Sequence, residues 1–309
     1  MIRYLEHSEI DKKKWDATIA KCGNIYAFSW YLDMVHPNWN ALVEDDYQSV
    51  MPITGGKKFG ISYLYQPYFV QQLGVFSTTG MSPEKTAAFL DAIPKKFRFA
   101  EIRLNESNTF DDLNQNIEYH RNIILDLNQD YNTILSNYHA NTKRNLSKSE
   151  THHLQLVYNV IPYHVVVLFR DNRGATLEKW GDREYDVLTK LGQTALNHKA
   201  AFILGVNEIG DGELLCAALF LKTNGRITFL FSGLNEKGKE KQAMTYMLDQ
   251  VIQKYAGQQM VFDFEGSDDE NLARFYLGFG GKEVKYPSYQ FNRLSAIEKR
   301  ALKIWKKHK

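Results

Sequence analysis

Ala201-Phe-Ile-Leu-Gly-Val-Asn207, Gly212-Glu-Leu-Leu-Cys-Ala-Ala-Leu-Phe-Leu-Lys222 and Arg226-Ile-Thr-Phe-Leu-Phe-Ser-Gly233 are apolar, β-prone runs in close succession. Asp211-Gly212 separates the first two and Asn224-Gly225 the last two. Both dipeptides favour tight hairpin turns, because the central residues of a type I′ turn need positive φ. The spacing predicts an antiparallel meander. A loop from Leu234 to Lys239 follows. The next apolar residues are Ala243, Met244, Met247, Leu248, Val251, Ile252 and Tyr255, steps of one, three and four that mark one face of a helix. Gly257 stops that helix. Met260 to Phe264 reads as a strand, and Glu265 to Asp269 as an acidic turn. Asp268 or Ser267 can cap a short helix running through Leu277. Gly278, Gly280 and Gly281 end it, and two short strands follow, Lys282 to Tyr286 and Ser288 to Arg293. A helix from Arg183 to His198 comes before the meander. The order is therefore β, β, β, loop, α, β, α, β, β.

The N-terminal half is built of similar parts. Helices are expected from Asp11 to Lys21 and near Trp30. Strands are expected in the runs ALVEDD, SVMPITG, GISYLYQP and VQQLGVF, between residues 41 and 76. Ser82-Pro83 opens a helix with a cap and a proline at its first position. Phe99 to Leu104 and Ile117 to Leu127 complete the strands. Leu90-Asp91, Ile93, Lys96 and Phe97, then the strand ending at Ser107, repeat the order of Leu248-Asp249, Val251, Lys254 and Tyr255, then the strand ending at Ser267. This echo implies a duplication. The expected division is 1–150 and 151–309, with the polar stretch around residues 136–153 at the junction. A cleft between two such domains would be a natural ligand site.

The 309 residues are 44% hydrophobic and 24% charged, with a formal net charge of +2, a balance that excludes a disordered or collagen-like chain. Nucleic-acid binders are usually more basic. Cys22 and Cys216 lie far apart and no CxxC occurs, which argues against a zinc ribbon or a redox dithiol. Cys216 reads as a buried small hydrophobe. No motif has metal-ligand spacing, and the nine histidines read as structural or surface residues. No apolar run approaches the roughly 20 residues that span a bilayer. The expectation is a cytoplasmic protein with no metal and no membrane partner. The basic segment Ile297 to Lys307 reads as a solvated helix face.

The order from Ala201 onward resembles the GNAT acetyltransferase superfamily. The resemblance implies an α+β fold of two tandem GNAT-like domains, each a mostly antiparallel sheet flanked by helices. In it, the first domain is degenerate and faces the acceptor, while the second carries the donor. It also implies that an acyl-CoA, acetyl-CoA in the simplest case, lays its pyrophosphate on a helix start after the strand Arg226 to Gly233. Free backbone N–H groups and the positive helix end favour an anion there. The residues in place are Lys237, Gly238, Lys239, Lys241 and Gln242. The alternative reading is a solvated, lysine-rich helix start.

Asp263-Phe-Glu-Gly-Ser, followed by Arg274-Phe-Tyr-Leu-Gly-Phe-Gly280, is similar to the FemABX peptidyltransferases and the GNAT-type proteins called BioF2-like. The match covers Arg274, Phe275, Phe279 and Gly280. FemABX members carry a lysine where Tyr276 stands, whereas GNAT enzymes often use a tyrosine on this helix to protonate the departing thiolate. Tyr276 is therefore the candidate general acid, with a core tyrosine as the alternative. Asp263 and Glu265 alternate with Phe262 and Phe264, which would put both acids on one face of the strand. Either is a candidate to take a proton from an amine, and a salt bridge to Arg274 or Lys282 is the alternative. Asn141 to Lys148 resembles the basic helix that faces an anionic acceptor in FemABX-like proteins, which singles out Lys143 and Arg144, with an exposed basic helix end as the alternative. Gln71 and Gln72 lie in a segment similar to one in these tandem proteins. Alternation along a strand would turn only one of them, here assigned as Gln72, toward the acceptor.

The function these resemblances imply is N-acyl transfer to a small or peptide-like amine acceptor. Aminoacyl transfer from tRNA to a peptidoglycan precursor is one alternative, and a non-catalytic binding module of the same fold is the other.

Overall fold

A computed structural model describes residues 1–111, 116–172, 174, 180–223, 225–266, 268–295 and 298–299. The expected basic segment Ile297 to Lys307, the turn residue Asn224 and the possible cap Ser267 fall outside the described residues or largely so. The chain forms two compact units. The first is Met1–Cys22, Tyr26–His120 and Tyr286–Lys309, and the second is Gly23–Ile25 and Arg121–Lys285. Lys143 and Arg144, which the halving of the sequence assigns to the first domain, stand in the second unit.

In the first unit β1 (Ile2–Leu5), α1 (Lys12–Cys22) and α2 (Ser29–Val35) lead to β2 (Asn40–Glu44) and β3 (Ser49–Ile53). These are followed by β4 (Gly55–Lys58), β5 (Ile61–Tyr65), β6 (Phe76–Ser77), α3 (Pro83–Asp91) and β7 (Phe97–Arg103). Strands β1, β2, β3 and β6 make an antiparallel sheet. Strands β5 and β7 run parallel, with α3 crossing between them. Phe89, Leu90, Phe97, Ala100 and Leu104 are buried in this unit's core. Ser82 accepts a hydrogen bond from the Lys85 N–H and Pro83 opens α3, as the sequence predicts. The run through Gln71 and Gln72 forms no strand, so the alternation expected there does not apply.

In the second unit β8 (Ile117–Asp126), α4 (Tyr131–Ser136), α5 (Ala140–Glu150) and β9 (Leu154–Val157) precede α6 (Pro162–Arg170) and α7 (Asp182–Asn197). The meander follows as β10 (Ala201–Glu208), β11 (Cys216–Thr223) and β12 (Arg226–Leu234). Then come α8 (Glu236–Glu240), α9 (Ala243–Tyr255), β13 (Val261–Gly266), α10 (Glu270–Leu277) and β14 (Lys282–Asn292). The chain changes unit within β8 and again within β14. The two strands expected at the C-terminal end are one, because Pro287 interrupts only a donor and its carbonyl still accepts from the Leu104 N–H.

The order of strands in the second unit is β8-β13-β12-β11-β10-β9. Every pairing is antiparallel except β12 with β13, which run parallel with α9 crossing between them. This repeats the strand–helix–strand crossover of the first unit. The apolar face of α9 covers Phe220, Phe229 and Phe262. The other face of the sheet meets α6 and α7: Phe169 packs on Phe231 at 4.5 Å, and Gly192 lies against Leu219. Cys216 is fully buried and its thiol is pushed up by burial, as a core residue requires.

Candidate active site

Strands β12 and β13 are paired only from Arg226 to Thr228 and from Val261 to Asp263. Beyond Thr228, β12 continues to Leu234 paired with β11, while β13 remains paired with β8 on its other edge. The register of β12 on β11 slips between Leu219 and Phe220, leaving Leu230 without a partner in a bulge. A bulge increases local twist and bends its strand. The edge of β12 from Phe229 onward therefore has no second strand partner among the described residues.

Tyr276 packs where the two strands part. Its ring stacks on Phe264 of β13 at 4.9 Å and meets Phe229 of β12 edge-on at 6.2 Å. It is buried in the core of the unit. Helix α10 holds it there, capped by Asp269, which accepts from the Asn271 and Leu272 N–H groups. The cap is thus Asp269 and not Asp268, whose Oδ1 accepts from the Arg121 N–H instead.

Asp263 is 1% exposed. Its Oδ2 accepts from Arg226 Nη1 at 2.7 Å, and its Oδ1 accepts from Asn122 Nδ2 at 3.0 Å and from the Glu265 N–H at 2.8 Å. The ion-pair partner is Arg226, not the Arg274 or Lys282 that nearness in sequence offers. A carboxylate so fully engaged is an anchor for the end of β13. Glu265 stands at the slip of β13 on β8 with φ of 63°, a conformation unfavourable for a side chain with a Cβ. This bulge breaks the alternation that would put Asp263 and Glu265 on one face.

The lysine-rich loop is short helix and ion pairs. Asn235 accepts from the Gly238 N–H at 2.7 Å. Lys237 meets Glu213 at 2.5 Å, Lys239 meets Glu236 at 2.5 Å, and Lys241 meets Glu208. A Cβ on Gly238 would sit 2.3 Å from the Leu215 carbonyl oxygen, so this glycine serves the close approach of α8 to the chain before β11. Of the two helices that follow β12, α8 is capped by Asn235 and α9 has no side-chain cap, as is also true of α2, α5, α6 and α7. At the start of α9 Gln242 turns the chain with φ of 58° and donates from Nε2 to the Lys239 carbonyl. The first N–H groups of a helix have no partner within it and attract anions.

Helices α5 and α10 dock end to end. The His139 N–H donates to the Gly278 carbonyl, and a Cβ on Gly278 would lie 2.3 Å from Thr142 Oγ1. Lys143 donates to the Ser136 carbonyl and Arg144 to Asn141 Oδ1, both from exposed positions, and Arg274 is exposed on α10. In the first unit Gln71 and Gln72 are both buried and bonded to each other at 2.9 Å. Gln72 also accepts from the Glu106 N–H, which ties its loop to the turn after β7.

The sequence reading missed Asp249. This buried residue of α9 accepts from Tyr131 at 2.8 Å and from Tyr138 at 3.0 Å. Burial raises its pKa above the usual carboxylate range and the nearby Glu150 adds to this, against the two phenol hydrogen bonds. An acid whose folded pKa is raised binds more protons folded than unfolded. Its stabilising share is complete below the ordinary aspartate value and is lost as pH rises through the raised folded value. Urea unfolding from pH 4 to 7 is expected to show wild type losing stability relative to Asp249→Asn as pH rises. A difference that does not change with pH would refute this.

Among the described residues no group of His, Cys, Asp and Glu is placed to hold a metal ion. No described helix is long and apolar enough to cross a membrane.

A meander leading through a bulged strand into a crossover helix and a diverging parallel strand defines a GNAT-like fold. No family model and no curated sequence matches the chain. Solved structures do. The chain is similar to FemX with a TM-score of 0.63 at 9% identity, over 92% of this chain and 96% of that one. It is similar to a tandem GNAT protein from the clavulanic acid biosynthesis pathway with a TM-score of 0.52 at 10% identity, over 96% and 100% of the two chains. L-PGS from Bacillus licheniformis gives a TM-score of 0.51 at 14% identity, over 92% of each chain. The tandem GNAT-like, FemABX-like fold expected from the sequence is thus the fold found.

Proposed function

We propose that the protein is an N-acyltransferase that moves an acyl group, acetyl from acetyl-CoA in the simplest case, to the amine of an acceptor. The observation that carries this reading is the parting of β12 from β13 at the Leu230 bulge, with the uncapped start of α9 following the same strand. That helix start suits a pyrophosphate, with Gln242 and Lys241 beside it, while Gly238, Lys237 and Lys239 shape the loop that sets its position. Backbone N–H groups of β12 beyond Thr228 would stabilise the oxyanion. In the transfer, the amine nitrogen bonds to the acyl carbon and the carbon–sulfur bond breaks. Glu265 takes the proton the amine sheds, and the Tyr276 hydroxyl gives one to the sulfur. Asp263, held by Arg226, keeps the end of β13 in place. Lys143, Arg144 and Arg274 offer charge for an anionic group on the acceptor.

Thermal unfolding with acetyl-CoA tests the proposal. A ligand at a hundredfold excess over its Kd stabilises by about 2.7 kcal/mol, a rise of roughly 5 °C or more. No shift at millimolar acetyl-CoA would sink it. A second reading, aminoacyl transfer from tRNA as the FemABX resemblance implies, is supported by the similarity to FemX and by the exposed Lys143 and Arg144. It predicts salt-sensitive binding of charged tRNA that is lost in the Lys143→Ala, Arg144→Ala variant.

A further inference from the structure

A groove of about 580 Å³ opens in the second unit between Tyr158, Ile161, Leu196, Phe202, Lys254 and Tyr255. It lies at the C-terminal end of α9, about 18 Å along the helix from the start discussed above. Its floor is an open strand edge. Strand β9 pairs with β10 only from Gly205 to Glu208, whereas β11 covers Ala201 to Val206 on the other side. The Lys222 N–H donates to the Ala200 carbonyl. In an antiparallel ladder bonded residues alternate, so Ala201 and Ile203 turn their N–H and C=O groups away from β11. No strand among the described residues receives them, and Ala201 to Leu204 all line the groove.

The walls are apolar and differ in character. On the side of α9, Phe202 stacks on Phe220 at 4.8 Å and approaches Tyr255 at 6.0 Å. On the side of α6 and α7 stand Leu196 and the half-exposed Ile161. Of the residues lining the groove, Lys254 alone is charged, and Lys222 reaches over the Tyr255 ring at 4.8 Å. An acyl chain would fill such walls but would leave the outward backbone groups of Ala201 and Ile203 desolvated without partners. Another main chain satisfies both.

We propose that this edge binds an extended peptide by strand addition, with side chains alternating between the aromatic and aliphatic walls and an acidic side chain meeting Lys254. The open edge is about 13 Å long, which fits some four residues of the peptide. This binding is independent of acyl transfer and stands or falls separately.

The test uses the full chain and N-acetylated, C-amidated heptapeptides alternating Val and Thr, with one position replaced in turn by Asp, Gln or Lys. Binding is read by NMR titration and by amide hydrogen exchange. The expected result is slowed exchange at Ala201 and Ile203, strongest with an Asp peptide. Methylating alternate peptide amides should weaken binding about tenfold or more, since it removes the inter-strand hydrogen bonds without touching the protein. Lys254→Glu, at an exposed position, should weaken Asp peptides about three- to fivefold and favour Lys peptides. The proposal is overturned if no peptide slows exchange at these two amides. It is equally overturned if methylation changes nothing, if the charge change leaves the ranking of peptides unaltered, or if phosphatidylglycerol vesicles occupy the groove and the peptides do not.

Discussion

Asp263→Ala is expected to lower unfolding free energy by about 3 kcal/mol. Removing one member of a buried ion pair costs about 3–5 kcal/mol because the other is left without its counter-charge. Arg226 keeps 26% of its side chain exposed, so water recovers part of the loss and the lower end applies. The substitution also removes the Oδ1 acceptor of Asn122 Nδ2 and of the Glu265 N–H. The Glu265 backbone, at φ of 63°, then loses the bond that holds its unfavourable conformation. Asp263→Asn keeps an acceptor and should cost less. The pair Asp263→Ala, Arg226→Ala should cost less than the sum of the singles, because the two residues act on one interaction. Urea unfolding of the three variants measures this. A loss below about 1 kcal/mol for Asp263→Ala would mean that the cluster does not anchor β13.

The meander was legible in the sequence because its signals are local. Three apolar runs decide it, and β10 and β12 appear where the pattern puts them, whereas β11 starts at Cys216 rather than Gly212, because the chain turns at Ile209-Gly210 and the residues around Asp211-Gly212 belong to a longer loop. The apolar stripe of α9 was legible for the same reason, and all seven of its named residues are buried. Partner choice was not. Asp263 is bonded to Arg226, 37 residues away in sequence, and Lys237 to Glu213, 24 residues away. Spacing within a segment carries no information about such pairs. Gly238 illustrates the same limit: a glycine among lysines fits a phosphate cradle, yet the atom that needs the missing Cβ is the Leu215 carbonyl oxygen. Asp249 escaped notice because it interrupts an apolar helix face as any solvated residue would. Only the tyrosines brought over it by α4 and the turn after it show that it is buried.

Tyr276→Phe separates the two uses of this side chain. The ring stacked on Phe264 and edge-on to Phe229 is retained in phenylalanine, so this packing survives the substitution. Tyr276→Ala, by contrast, empties a buried aromatic site and should cost about 3–5 kcal/mol. If the hydroxyl protonates the departing thiolate, Tyr276→Phe should reduce kcat by about 10²- to 10⁴-fold, the usual contribution of a positioned acid. The loss should fall in kcat with KM for the acyl donor nearly unchanged, since the proton is needed only as the carbon–sulfur bond breaks. A donor whose leaving thiol is more acidic should be hurt less by the substitution, because such a thiolate departs without help. Equal losses with both donors, or a kcat unchanged in Tyr276→Phe, would leave Tyr276 as the packing residue that its burial already makes it, and the acid would have to be sought elsewhere along the open edge of β12.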